Sequence, residues 1–199
     1  MNEKFFDLKK DKQDRMINAA LKVFGENGYK HCSTDDIVRE ASISKGLLFH
    51  YFGSKLNLYE FLYDYCVRFF TLELKSSLPE SETDYFNIMQ DAEIAKRNVM
   101  RTYPYMQMFI DRSLTETDED AIEKTSNLRE ELQGLYDNML GKVDPSKFRK
   151  EADPAQIHVV LQATLKAIMD EQLQTTNFNP DHYYNEGVKY IKMLKNICY

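Results

Sequence analysis

Apolar residues recur along this chain at the spacing of an α-helix. Ile17, Ala20, Leu21 and Phe24 fall at i, i+3, i+4 and i+7, one face of a 3.6-residue period. Leu58, Leu62, Tyr65, Phe69 and Leu72 form another stripe, and Tyr59, Cys66 and Phe70 a second beside it, so a helix over 55–77 is apolar on a broad face. No segment shows the alternation of a strand. Seven glycines and five prolines in 199 residues leave long stretches unbroken, which favours long helices over a many-turned β architecture. The expected fold class is all-α.

Local punctuation divides the pattern. A helix over 11–28 stops at Asn27-Gly28, because glycine accepts the left-handed conformation. Ser33 or Thr34 caps a short helix over 34–41, with Asp35 and Asp36 in its first turn, where the dipole favours them. Ser44 caps a third helix over 44–51 and Gly53 stops it. The 55–77 helix breaks at "SLPESETD", and residues 76–83 form a boundary loop. Further helices are expected over 84–100, a short segment near 105–112, then 119–141. "GKVDPSKFRKEADP" connects to a helix over 154–174, opened by Asp153-Pro154. Asn179-Pro180 opens the last helix in the same way, since proline suits the first helical position.

Several function classes receive no support. The start, "MNEKFFDLKKDK", carries acids and no apolar core, unlike a secretory leader, and no apolar run approaches a membrane span. Cys32, Cys66 and Cys198 are odd in number and far apart, so neither a zinc site nor a disulfide framework is supported; a reducing cytoplasm fits best. P-loop, G-x-G-x-x-G, H-E-x-x-H and G-x-S-x-G patterns are missing, and nothing recommends an enzyme. His31, His158 and His182 stand isolated and read as structural or surface residues. No cofactor and no metal are expected.

The chemistry concentrates near one short segment. The chain has a formal net charge of −6, yet residues 41–59 contain no Asp and no Glu. The first 60 residues carry 10 Lys+Arg and 9 Asp+Glu, whereas the remainder is strongly acidic. The helices over 34–41 and 44–51, joined by "SI", have helix-turn-helix spacing, in which the second helix enters the DNA major groove while the first braces it. Ile37, Val38, Ala41, Ile43, Leu48 and Phe52 would hold the pair together. Carboxylates on the reading surface would repel phosphates. Backbone N–H groups at Ser44, the Thr34 and Tyr51 hydroxyls, Lys45 and Lys55 can donate to them. Gly46 permits close backbone approach, and His50 can reach a phosphate or a base edge.

The segment "ENGYKHCSTDDIVREASISKGLLFHYFGSKLNLYEFLY" resembles the DNA-binding domain of TetR-family transcriptional regulators, through Phe24, Gly28, Thr34, Ile37, Ala41, Ser44-Lys45-Gly46, Leu48, Tyr51-Phe52 and Ser54-Lys55. The resemblance covers roughly residues 11–65 and implies an N-terminal three-helix DNA-binding domain (1–55) and a helical effector-binding and dimerisation domain (56–199). It places Thr34, Ser44, Lys45, Leu47, His50, Tyr51 and Lys55 where the family touches DNA. It also implies a homodimer built on the last two helices, and a repressor released from double-stranded operator DNA by a small molecule. Two departures matter. Ser42 replaces a frequent glycine in the turn, where a left-handed residue costs roughly 1–2 kcal/mol. Leu47 replaces a frequent hydroxyl residue and could only pack against a thymine methyl or a sugar, so the operator cannot be read from this helix.

For the effector, Tyr103, Met106 and Phe109, with Phe86, Met89, Met100 and Met139, supply adaptable side chains suited to an apolar or amphipathic ligand. An ordinary core would use the same residues. For the dimer, Ile157, Val160, Leu161, Leu165 and Ile168, then Tyr184, Val188, Ile191 and Leu194, give stripes broad enough to pack part of the face between subunits. An enzyme is the first rival reading, which turnover of any small molecule would revive; a helical interaction scaffold without DNA binding is the second, and salt-dependent binding to promoter DNA separates it from a regulator.

Overall fold

The computed structural model describes residues 3–175 and 178–199. Among them there is no strand. Ten α-helices are joined by short loops and two 3-10 turns: α1 Lys10–His31, α2 Thr34–Ala41, α3 Lys45–Phe52, α4 Lys55–Ser77, α5 Tyr85–Met100, α6 Met106–Ser113, α7 Glu119–Lys124, α8 Ser126–Leu140, α9 Pro154–Leu173 and α10 Pro180–Cys198. The all-α expectation holds, and most helix limits fall within two residues of the punctuation that set them. Ser33, Ser44, Asp84, Asp153 and Asn179 each accept a backbone N–H at the start of their helix. Gly28 carries φ 72 and ψ 174 inside the span of α1, so the regular helix stops at the expected glycine.

Two features differ from expectation. The helix expected over 119–141 is two helices, because Thr125 leaves the helical conformation (φ −106, ψ 7). Its hydroxyl, fully buried, donates to the Ala121 carbonyl at 2.7 Å and accepts from Arg129 Nε at 2.8 Å. The N-terminal residues Glu3–Asp7 form a 3-10 helix that no periodicity marked.

The chain packs as two compact units, and neither is a continuous stretch. The first contains residues 1–69 and 102–133; the second contains 70–101 and 134–199. In the first unit α1 lies along α6. Their approach is close: a side chain at Gly25 would meet Met108 at 2.7 Å. Phe24, Tyr59 and Phe109 meet edge to face at its centre, a favoured aromatic geometry. In the second unit α5, α9 and α10 enclose Phe86, Ile88, Met89, Leu161, Leu165 and Ile191. Beside them is a buried ion pair, Lys96 Nζ to Glu93 Oε1 at 2.8 Å, with the Tyr183 hydroxyl donating to the other Glu93 oxygen at 2.6 Å. Burial works against the Lys96 charge, but Glu93 outweighs it and the lysine pKa is raised.

Candidate nucleic-acid interface

The helix-turn-helix is built from the inside outward. Ile37, Ala41, Leu48 and Phe52 are fully buried between α2 and α3, with Val38 and Ile43 half-buried at the edge. The turn is made by Ser42, the only non-glycine residue with positive φ among those described (φ 52, ψ 51). Its N–H returns to Arg39 O at 3.2 Å, and the Ile43 N–H to Val38 O at 3.0 Å. Serine is thus held in a left-handed conformation that glycine would adopt freely.

α3 then shows two faces. Leu48, Tyr51 and Phe52 point inward, while Ser44, Lys45, Gly46 and His50 are exposed and Leu47 and Phe49 half-buried. The Ser44 hydroxyl accepts the Leu47 N–H at 3.2 Å, and no acid stands in the first turn. No heavy atom outside its immediate surroundings lies within 4 Å of a side chain placed at Gly46. The outward surface is thus small, uncrowded and free of carboxylates on its own helix. One acid does approach from α2: Asp35 pairs with Lys45 at 2.8 Å, both well exposed. Thr34, half-exposed, is the first residue of α2.

Two of the eight expected contact residues have other work in this structure. Only 9% of Tyr51 is exposed, and its ring meets Phe5 edge to face at 5.7 Å. Lys55 donates to Tyr29 O at 2.9 Å and to Cys32 O at 3.3 Å, with its ammonium 4.2 Å from the centre of the Tyr29 ring. It thus closes the carbonyl end of α1, where a cation is favoured. The Tyr29 N–H is held from the other side by Glu116 Oε2 at 2.6 Å. Partial burial opposes ionisation of Glu116, but N–H donors from Asp118, Thr117, Tyr29 and Lys30 outweigh it and lower its pKa. Sequence reasoning missed Phe49, which shares the outward face by the i, i+4 rule from Lys45, and the Asp35 partner, which no spacing rule reveals.

The other expected groups disperse. Tyr103, Met106 and Phe109 belong to the core of the first unit, at 1% exposure or less. Tyr103 closes a network there: its hydroxyl donates to Asp14 at 2.7 Å and meets the Tyr65 hydroxyl at 2.7 Å, while Lys10 donates to it at 2.8 Å. Phe86, Met89 and Met139 share one core cluster of the second unit, and Met100 lies in another with Met169 and Tyr183. Of the seven, Met139 lines an open cleft of about 510 Å³ with Leu74, Leu78 and Leu135, where Lys75 and Lys142 also stand. Among the expected dimer residues, Leu161, Leu165 and Ile191 are sealed inside the subunit, and Ile157, Ile168, Tyr184 and Val188 are half-buried. The exposed apolar side chains of α9 and α10 are Val159, Val160, Tyr190, Met193 and Ile197.

No group of three metal-ligating side chains occurs among the described residues, and none of their helices is long and apolar enough to cross a membrane.

Residues 16–61 match the family model described as "Bacterial regulatory proteins, tetR family". Over 48 residues, 24% of this chain, the sequence is 38% identical to IcaR of Staphylococcus aureus, a negative transcriptional regulator of the biofilm operon icaADBC. The matched segments span only 20 to 26% of the curated relatives. Solved structures extend the likeness to the whole fold. A TetR family transcriptional regulator from Chloroflexus aurantiacus superposes with a TM-score of 0.66 over 98% of this chain and 95% of that one, at 20% identity. FadR of Bacillus subtilis, solved with stearoyl-CoA, superposes with 0.52 over 89% and 96%, at 15% identity. Residues 16–61 therefore match the N-terminal helix-turn-helix segment of the TetR family of bacterial regulatory proteins, and the helical fold of the chain is the one seen in solved TetR family regulators.

Proposed function

We propose that the protein is a cytoplasmic, homodimeric transcriptional repressor that reads a near-palindromic operator with α3 and is released by a small apolar or amphipathic molecule. The observation that carries this reading is the outward face of α3, where Ser44, Lys45, Gly46 and His50 stand exposed with no carboxylate on the helix. Such a face suits a polyanion: backbone and lysine donors position it on phosphates, and His50, Leu47 and Phe49 stand where base edges and thymine methyls are read. Repression is supported by the negative regulator among the relatives. Division of labour between residues 1–55 and 56–199 remains part of the same reading.

Dimerisation is supported by the apolar row Val159, Val160, Tyr190, Met193 and Ile197, which a monomer would leave in water. Release by ligand is supported by the cleft at Leu74, Leu78, Leu135 and Met139, whose size suits a small molecule. Its two lysines outnumber the one acid in the lining, Glu80, and favour an amphipathic ligand with an anionic head; a protein of the same fold was solved with an acyl-CoA. A ligand acts only by its differential affinity for the bound and released states. A hundredfold release requires a preference of about 2.7 kcal/mol.

The test is selection of bound sequences from random DNA, followed by titration of the selected site against salt and candidate amphiphiles. The expected result is a two-fold site whose half-sites are about one helical turn, roughly 34–36 Å, apart, with affinity falling steeply with salt. Enrichment of no sequence, with binding indifferent to salt, would overturn the reading.

A further inference from the structure

The 3-10 helix Glu3–Asp7 precedes the family-matched segment, yet it packs directly against the reading helix α3. Its anchor is Phe5, fully buried at the surface of the helix-turn-helix. The Phe5 ring lies 5.7 Å from Tyr51 and 5.0 Å from Phe52, both in the last turn of α3, and 5.6 Å from Phe61 on α4. Phe52 and Phe61 also touch each other, at 5.2 Å. Phe5 therefore fills the angle between the end of α3 and the start of α4, two helices connected only by Gly53 and Ser54. Gly53 adopts φ 74 and brings no side chain to the joint, while the Ser54 hydroxyl accepts the Asn57 N–H at 3.0 Å and so caps α4 alone.

The segment is also tied from below. Gln13, 8% exposed, donates from Nε2 to Phe6 O at 3.0 Å and to Leu8 O at 2.8 Å. A buried amide committed to two backbone carbonyls of a terminal segment holds that segment in one place, because leaving those groups unpaired is costly. By contrast Phe6, the adjacent residue, is half exposed, so burial of the pair is specific to one ring.

We propose that Phe5 is a positioning residue of the DNA-reading head: it wedges the C-terminal end of α3 against α4 and so sets the pose in which His50 and its neighbours meet the bases. The inference rests on the DNA-binding reading of α3. A tilt of a helix end shifts base contacts by more than it shifts phosphate contacts, since base readout is directional and phosphate attraction is not. Phe5 should therefore govern discrimination between sites more than overall attraction to DNA.

The experiment uses the full chain and the operator selected above, with a scrambled duplex as the non-specific competitor. Phe5→Ala is expected to lower the ratio of specific to non-specific affinity by about tenfold, the worth of roughly one base contact. Non-specific affinity and its salt slope should stay as in the parent, and Phe5→Leu should restore the ratio to within about threefold by refilling most of the wedge. Circular dichroism confirms that each variant is folded at the assay temperature. A purely structural role would instead lower both affinities together, in step with the folded fraction. If Phe5→Ala does not fold, Gln13→Ala, which cuts both ties but keeps the ring, carries the same expectation. Because the chain has no tryptophan, Phe5→Trp adds a single fluorophore at the wedge, expected to emit as a buried indole and to shift on operator but not on scrambled DNA. A folded Phe5→Ala or Gln13→Ala protein that discriminates as well as the parent would overturn the proposal while leaving the function intact. A parent that selects no DNA sequence would overturn both.

Discussion

At the scale of single residues, the informative side chains are those that the family resemblance assigns to DNA and that already hold partners within the chain. The family resemblance puts both Lys45 and Lys55 among the residues that touch DNA, but the structure gives them different surroundings. Lys45 is exposed and faces only Asp35 across 2.8 Å, a surface pair worth little. Lys55 is bound to two carbonyls and stacked on Tyr29. Lys45→Ala should reduce the slope of log affinity against log salt by about one, whereas Lys55→Ala should leave the slope unchanged and reduce thermal stability. Salt titrations of the two variants decide it; equal loss of slope would mean that Lys55 leaves Tyr29 for a phosphate. Ser42 offers a second test. Relief of its left-handed strain, partly offset by the greater freedom of an unfolded glycine, should make Ser42→Gly more stable by about 0.5–1 kcal/mol. That corresponds to a rise in Tm of roughly 1–4 °C for a chain of this size, measurable by calorimetry.

At the scale of helices, periodicity identified which elements exist but not which neighbour each face meets. The stripe Leu161, Leu165 and the residue Ile191 were legible as apolar, and a stripe carries no label saying whether it packs within a subunit or between two. The structure answers this by burial: those three are sealed inside, and Val159, Val160, Tyr190, Met193 and Ile197 are left outside. Val160→Glu should therefore yield a folded monomer that has lost operator affinity. Leu161→Glu should unfold the second unit, because a carboxylate would be buried without a partner. Sedimentation velocity with circular dichroism separates the outcomes; a dimeric Val160→Glu protein would move the interface elsewhere. The break at Thr125 was illegible for a related reason. Threonine in a helical run signals nothing until Arg129 and Ala121 are seen to capture its hydroxyl.

At the scale of the whole chain, the DNA-reading element was the most legible part. Short helices, caps and an acid-free segment are local features, and local features are what a sequence displays. The partition into units was not legible, because it depends on a return: residues 102–133 leave the second unit to complete the first. Tyr103, Met106 and Phe109, expected at a ligand cavity with ordinary core as the alternative, are buried in the unit in which α1 packs along α6. A fragment ending at residue 69 keeps the entire matched DNA-binding segment but leaves Phe24 and Tyr59 without Phe109. It should show no cooperative thermal unfolding, whereas the full chain should. A sharp transition in the fragment would mean that the return segment is dispensable.

The same return gives synthesis a timetable. The reading helices emerge first from the ribosome, yet the helices that cover α1 and α4 are encoded after an intervening stretch belonging to the other unit. At about 5–20 residues per second, the nascent head spends on the order of several seconds with its aromatic face uncovered. Its last gap closes only when residue 133 has been made, so a helix-turn-helix head of this design should not hold its DNA-reading pose while the chain is still being translated.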